Sequence, residues 1–129
     1  HSMTPLLMLA TTRGRLLELL AAKLRPTDRH AADVAFTVGI MSLMDTLFGI
    51  PMYEILGQIP VIDPVAAALL DRAGFYGELL TLAESLERIE ELDHQIVPTL
   101  RQLAMTTDEL VELELAAFEW SDNVVRYAL

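Results

Sequence analysis

The amino-acid sequence predicts an all-α protein, a compact bundle of about seven short helices with no sheet. Three observations carry that expectation. Hydrophobic residues make up 53% of the 129 positions while aromatics make up only 6%, and Leu and Ala dominate, a composition of helical bundles rather than of sandwiches or barrels. Apolar residues recur at helical spacing through most of the chain, and no stretch alternates with period two for long enough to be a strand. Capping and breaking residues divide the chain into short pieces with short connections. The length suits one domain, or part of one, around one hydrophobic core.

In order along the chain, Leu6, Leu9, Leu16, Leu17, Leu20 and Leu24 define a first helix from Pro5 to Leu24, weakened at its centre by Gly14 and ended by Arg25-Pro26. Thr27 or Asp28 is expected to cap a second helix that runs unbroken to about Phe48. Within it, Phe36 to Phe48 is apolar nearly all round, with Ser42, Asp45 and Thr46 falling together in a narrow strip that Val38 completes. Such a helix is a membrane span or the centre of a core. Asp45, Asp33 and Arg29 leave an uncharged run too short for a bilayer, so the core is the expectation. Gly49 is the expected C-terminal glycine, and Pro51 opens a short helix from Met52 to Gln58.

Asp63-Pro64 is the N-cap and first position of a fourth helix, reaching Arg72. After Gly74, Phe75, Leu79, Leu82, Leu86 and Ile89 form one stripe of a fifth helix. A sixth runs from Asp93 to Met105, and Pro98 must start or kink it. Thr106 and Glu109 make a capping box for the last helix, which carries Leu110, Leu113, Ala117, Phe118, Trp120, Val124 and Val125.

The formal charge is −10 and unevenly placed. Arg13, Arg15, Lys23, Arg25 and Arg29 outnumber Glu18 and Asp28 in the first thirty residues, while four basic and seventeen acidic residues share the rest. Most of the molecule would repel phosphates, which argues against a nucleic-acid partner. The basic N-terminal helix is expected to complement an acidic neighbouring helix; a docking surface is the alternative. With no cysteine, disulfides, thiolate metal sites and cysteine catalysis are excluded. Nothing at the start reads as a signal peptide, and a cytoplasmic location without membrane insertion is the expectation. His1-Ser2-Met3 reads as an expression scar, with the natural segment beginning near Thr4.

Metal chemistry would need His and Asp side chains converging on one point. His30 and Asp33 share a helix face, but Asp45 lies three turns further along an unbroken helix, and Asp93-His94 suits a helix start. Glu84, Glu87, Glu90, Glu91 and Asp93 form an acidic edge, with Arg88 pairing to Glu84 at i, i+4, as on a solvated face. Phosphate-cradling loops and nucleophile elbows are absent, and no histidine pairs with Ser2, Ser42, Ser85 or Ser121. Asp45 is expected to accept hydrogen bonds from the free N–H groups at the start of the Pro51 helix.

Four stretches together resemble the HDOD domains, a degenerate branch of the HD phosphohydrolase superfamily, above all those at the C-terminus of EAL–HDOD signalling proteins. They are Arg13 to Ala21 (RGRLLELLA), Ala35 to Val61 (AFTVGIMSLMDTLFGIPMYEILGQIPV), Ala68 to Glu87 (ALLDRAGFYGELLTLAESLE) and Leu113 to Val124 (LELAAFEWSDNV). The resemblance implies an HD-domain-like all-helical fold, of which residues 4–129 are the C-terminal part. It further implies an EAL domain upstream in the parent protein, of the kind associated with cyclic di-GMP hydrolysis. HD enzymes carry an adjacent His-Asp metal pair in a Gly-Leu-Leu-His-Asp-like segment. Here Gly39-Ile40-Met41-Ser42-Leu43 matches it, with Ser42 in place of the histidine and Leu43 in place of the aspartate.

The expectation is therefore a regulatory, protein-interaction module of signal transduction, without catalytic residues, metal or cofactor. Its partner would be another protein or a neighbouring EAL-type domain, and a homodimer would cover apolar surface left open. Asp45, Ser42, Met41, Met44, Pro51 and Trp120 are the expected structural or interaction residues. The alternatives are a divergent metal-dependent hydrolase using His30, Asp33 and Asp45, and a small-ligand sensor with a pocket lined by Met41, Met44 and Phe75.

Overall fold

A computed structural model describes residues 4–88 and 92–128. The described residues form eight helices and no strand: α1 (Thr4–Leu24), α2 (Ala31–Met41), α3 (Met44–Phe48), α4 (Met52–Gln58), α5 (Asp63–Asp71), α6 (Gly74–Leu86), α7 (Leu92–Leu103) and α8 (Thr107–Ala128). The all-α expectation holds, with one helix more than the sequence pattern suggested.

The core is built around α1, which packs against α2, α6 and α8. Leu16, Leu17, Leu20 and Ala21 of α1 meet Ala31, Ala35 and Val38 of α2. Leu79, Leu80, Leu82 and Ala83 of α6 join them, with Val65, Ala68 and Leu69 of α5 and Leu110 and Ala117 of α8. Full burial of each leucine contributes about 1.5–3 kcal/mol, so this cluster supplies the main drive to fold. The α1–α2 crossing is set by two glycines. A Cβ on Gly39 would lie 2.5 Å from the Gly14 Cα, a separation no side chain tolerates. Gly39 is thus what lets α2 rest on the α1 backbone, while Gly14, which weakens α1 as an isolated helix, makes room for the Ile40 side chain, 3.0 Å from where its Cβ would lie.

Most boundaries fall where the sequence puts them. α1 stops before Arg25-Pro26, and Gly49 closes α3 in the left-handed region at φ 70°. α4 spans Met52–Gln58 as expected. The Thr106–Glu109 box is complete: the Thr106 Oγ1 accepts from the Glu109 N–H at 3.1 Å, and the Glu109 carboxylate accepts from the Thr106 N–H at 3.0 Å. Pro98 lies inside α7.

Four expectations are corrected. The second helix is not continuous to Phe48: it stops at Met41, and α3 restarts at Met44. The Ser42 hydroxyl donates to the Gly39 carbonyl at 2.7 Å, and Leu43 adopts φ −108°, ψ 1°. A serine bonding back to the preceding turn competes with the helical ladder, so the break is local chemistry held by the fold. The polar strip therefore divides, with Val38 and Ser42 buried and Thr46 exposed. Residues 31–48 have the length and hydropathy of a membrane span, but they form helices of 11 and 5 residues, both short of the ~20 a bilayer requires.

Neither Thr27 nor Asp28 caps α2 directly. The helix begins at Ala31, and the Asp28 carboxylate accepts the His30 N–H at 3.1 Å in the preceding turn. Ile62 rather than Asp63 is the N-cap of α5, so Asp63 and Pro64 both lie in its first turn. Asp45 does not cap the Pro51 helix. Its Oδ1 accepts from its own neighbour, the Thr46 N–H, at 2.9 Å, and no side chain caps α4. Pro51 itself is the N-cap of α4, and its carbonyl accepts from Glu54 and Ile55.

Candidate functional site

The densest polar arrangement in the core lies where the centre of α1, the end of α2 and the last turns of α6 meet. Arg13, at the Gly14–Gly39 crossing, is only 5% exposed. Its Nε donates to Glu87 Oε2 at 2.9 Å and its Nη2 to Glu87 Oε1 at 2.5 Å, the two-pronged geometry that makes guanidinium–carboxylate pairs strong. Its Nη1 donates to the Ser42 Oγ at 2.7 Å and lies 4.0 Å from Glu84 Oε2. Ser42, 4% exposed, thus accepts from Arg13 while donating to Gly39, so its hydroxyl is used in both senses.

A second arginine completes the network. Arg72 ends α5 in the left-handed region at φ 53°. From there its Nη1 donates to the Leu69 carbonyl at 2.7 Å, closing the helix end. Its Nε and Nη2 grip Glu84 at 2.8 and 2.9 Å. Burial pushes the Glu84 carboxyl up, but the Arg72 hydrogen bonds and the charges of Arg72, Arg13 and Arg88 outweigh it and hold the group below the usual carboxylate range. The Glu84 hydrogen bonds raise Arg72 further, with the charge of Asp45 a minor contributor. Glu84 and Glu87 are therefore not the solvated edge that the sequence suggested. Glu90 and Glu91 of that edge lie outside the described residues, as do the side chains of Asp93 and His94.

Glu114 of α8 sits beside this cluster. Burial raises its carboxyl, and the nearby charge of Glu87 raises it further. The basic α1 does complement acidic neighbours: Arg13 takes Glu87, and Lys23 takes Glu109 of α8 at 2.7 Å.

The other expected residues scatter. Met41 is buried in the core. Met44 lines an apolar cavity of about 180 Å³ with Leu6, Leu7, Ala10, Ile40, Leu43 and Leu47, not a pocket with Phe75. Phe75 instead packs edge-on to Tyr76 and lies under the Arg25 guanidinium. Trp120 meets Phe36 edge-on at 6.0 Å and carries the Arg15 guanidinium 5.4 Å from its ring centre. These three, with Glu18, Asp33 and Thr37, line an open cleft between α1, α2 and α8. Asp33 is in that cleft while Asp45 is in α3, and among the described residues no three His, Asp or Glu side chains are grouped to hold a metal ion.

Sequence reasoning gave Arg13 and Arg72 no place in a site and read Glu84 and Glu87 as a solvated edge. The available signal was the Arg13-Gly14-Arg15 run at the centre of a leucine-rich helix, but the carboxylate partner of Arg13 lies 74 positions away.

Chemically, the arrangement holds a fixed organic cation against a hydroxyl and two carboxylates. The segment resembling the HD metal-binding motif is the one whose Ser42 receives that cation. With its five N–H donors and no acceptor, a guanidinium neither ligates a metal nor activates water.

No family model matches the chain, and no solved structure matches it. The chain is 30% identical over 125 residues to the uncharacterized protein YuxH of Bacillus subtilis, covering 93% of this chain and 28% of that protein. It is 29% identical over 96 residues to the cyclic di-GMP phosphodiesterase CdgJ of Vibrio cholerae, covering 73% of this chain and 21% of that protein. The chain thus spans about a quarter of the length of these curated relatives, and it is to a portion of such longer bacterial proteins that this helical unit is similar.

Proposed function

We propose that this chain is a non-catalytic regulatory module, HDOD-like in character, that works by protein interaction in a cyclic di-GMP signalling pathway. The observation that carries the reading is the Arg13 guanidinium seated on Ser42 between Glu84 and Glu87. A divalent ion would have to displace a buried cation held by three hydrogen bonds to Glu87 and Ser42 and then bind a serine hydroxyl in place of an imidazole. The likeness to CdgJ supports the pathway. Any phosphodiesterase chemistry would then belong to an EAL-type domain elsewhere in the parent protein, and the setting would be cytoplasmic.

The hydrolase reading on His30, Asp33 and Asp45 loses support from their separation between the Trp120 cleft and α3. A sensor reading rests on the Met44 cavity, whose volume of about 180 Å³ is below the roughly 300 Å³ typical of small-molecule sites.

The test is calorimetric titration of the purified chain with Mn²⁺ and Mg²⁺, alongside turnover of bis(p-nitrophenyl) phosphate and cyclic di-GMP. The expected result is neither stoichiometric binding nor turnover. One tightly bound metal per chain with hydrolysis would overturn the reading.

A further inference from the structure

α8 is 22 residues long and packs mainly along α1. Leu110, Ala117 and Ser121 are buried against that support, yet the helix keeps a second apolar stripe. Val111, Leu115 and Phe118 stand at i, i+4 and i+7 and are 47%, 58% and 51% exposed. Three such residues in one row on a helix mark a contact surface more than a random scatter of exposed leucines does.

The charges around the stripe are of one sign. Asp108, Glu112 and Glu119 run along one side of it, and Glu114 borders Val111 and Phe118 on the other. Among the described residues, none of these four is held in an ion pair, whereas Glu109 is spent on Lys23 and Asp122 on Arg126. Arg126 is the only cation on α8.

We propose that this stripe is the docking surface for an amphipathic helix of a different polypeptide or domain, with apolar residues at i, i+4 and i+7 flanked by lysine or arginine. The proposal rests on the reading of the chain as an interaction module and names the chemistry of its partner. Charge complementarity selects the occupant. A second copy of this chain would bring the same acidic border against itself, and this chain's own cations are largely engaged: Arg13, Arg72, Lys23 and Arg126 in ion pairs, Arg15 with Glu18, and Arg25 over Phe75. An anionic lipid surface would be repelled by the same carboxylates. A cationic helix instead lays its apolar row on Phe118 and Leu115 and brings its lysines to Glu114 and Glu119. Glu114, with its carboxyl raised beside Glu87, gains a counter-charge that it lacks among the described residues.

The probe is a fluorescently labelled synthetic helix of about 16 residues, long enough for a few helical turns, with leucines at i, i+4 and i+7 and lysine flanks. Its anisotropy is followed on titration with the chain. The expected result is saturable binding that weakens at least about tenfold in Phe118→Ser, in Leu115→Ser and in about 0.5 M salt, with a glutamate-flanked version binding at least about tenfold more weakly. Both substitutions are at exposed positions, and circular dichroism checks that the variants stay folded. Four results would each overturn the proposal: equal binding of the two peptides, binding indifferent to both serine variants, self-association of the chain that Phe118→Ser abolishes, or partition onto phosphatidylglycerol vesicles. The metal and turnover assays read the underlying function separately, so the docking surface can fail while the non-catalytic reading stands.

Discussion

Arg13 and Ser42 are joined by a 2.7 Å hydrogen bond between a guanidinium Nη1 and a hydroxyl oxygen, both within the buried interior. The bond ties the centre of α1 to the point where α2 gives way to α3. It exists because Gly14 and Gly39 let the two helices cross closely enough for a side chain one residue away to reach across.

Truncating Arg13 strands the Glu87 carboxylate and the Ser42 hydroxyl in a site shaped for a cation. Arg13→Ala is expected to lower the unfolding free energy by about 3–5 kcal/mol, because the cost of breaking a buried ion pair is dominated by the charge left behind. Arg13→Met with Glu87→Gln removes both charges and should recover a large part of that loss. Urea unfolding followed by circular dichroism measures both.

Ser42→Ala removes one buried acceptor of Arg13 and should cost about 1–2 kcal/mol. Gly39→Ala is expected to cost about 2–3 kcal/mol or more, because its methyl would meet the α1 backbone rather than a movable side chain. Thermal melts of the two variants should rank Gly39→Ala as the more damaging.

Asp45→Ala should change stability by no more than about 0.5–1 kcal/mol, since the carboxylate serves an N–H that is already exposed. A capping role for the Pro51 helix would have made this a larger loss, so a chemical denaturation curve distinguishes the two.

Two carboxyls pull the pH dependence in opposite directions. The depressed Glu84 contributes stability above its unfolded pKa, and that contribution is lost as pH falls through its folded value. The raised Glu114 binds more protons folded than unfolded, so its penalty appears as pH rises through its folded value and disappears on acidification. Glu114→Gln should therefore raise the melting temperature at pH 7 and bring no gain near pH 4, below the ordinary carboxylate value. Melting curves across that range measure the crossover.

The helix ends were legible because their signals are local: Arg25-Pro26, Gly49, Gly74 and the Thr106–Glu109 box act on the turn they sit in. The break at Ser42 was not legible. A run as apolar as Phe36 to Phe48 reads as one helix until a buried arginine holds the serine that interrupts it. The same holds for Glu84 and Glu87. On α6 alone they belong to an acidic surface, and only the approach of α1 and α5 turns them inward toward Arg13 and Arg72. The sequence did carry the coarse charge relation, a basic first helix beside acidic ones, though not which residues meet.

The central claim is that a protein cation stands where a metal would have to bind. It is tested most directly by soaking crystals of the chain in MnCl₂ and collecting data for the anomalous signal of manganese. The account predicts Arg13 in place on Ser42 and Glu87, with no anomalous peak within about 3 Å of the Ser42, Glu84 or Glu87 oxygens. A full-occupancy peak there, with the Arg13 guanidinium displaced, would contradict it.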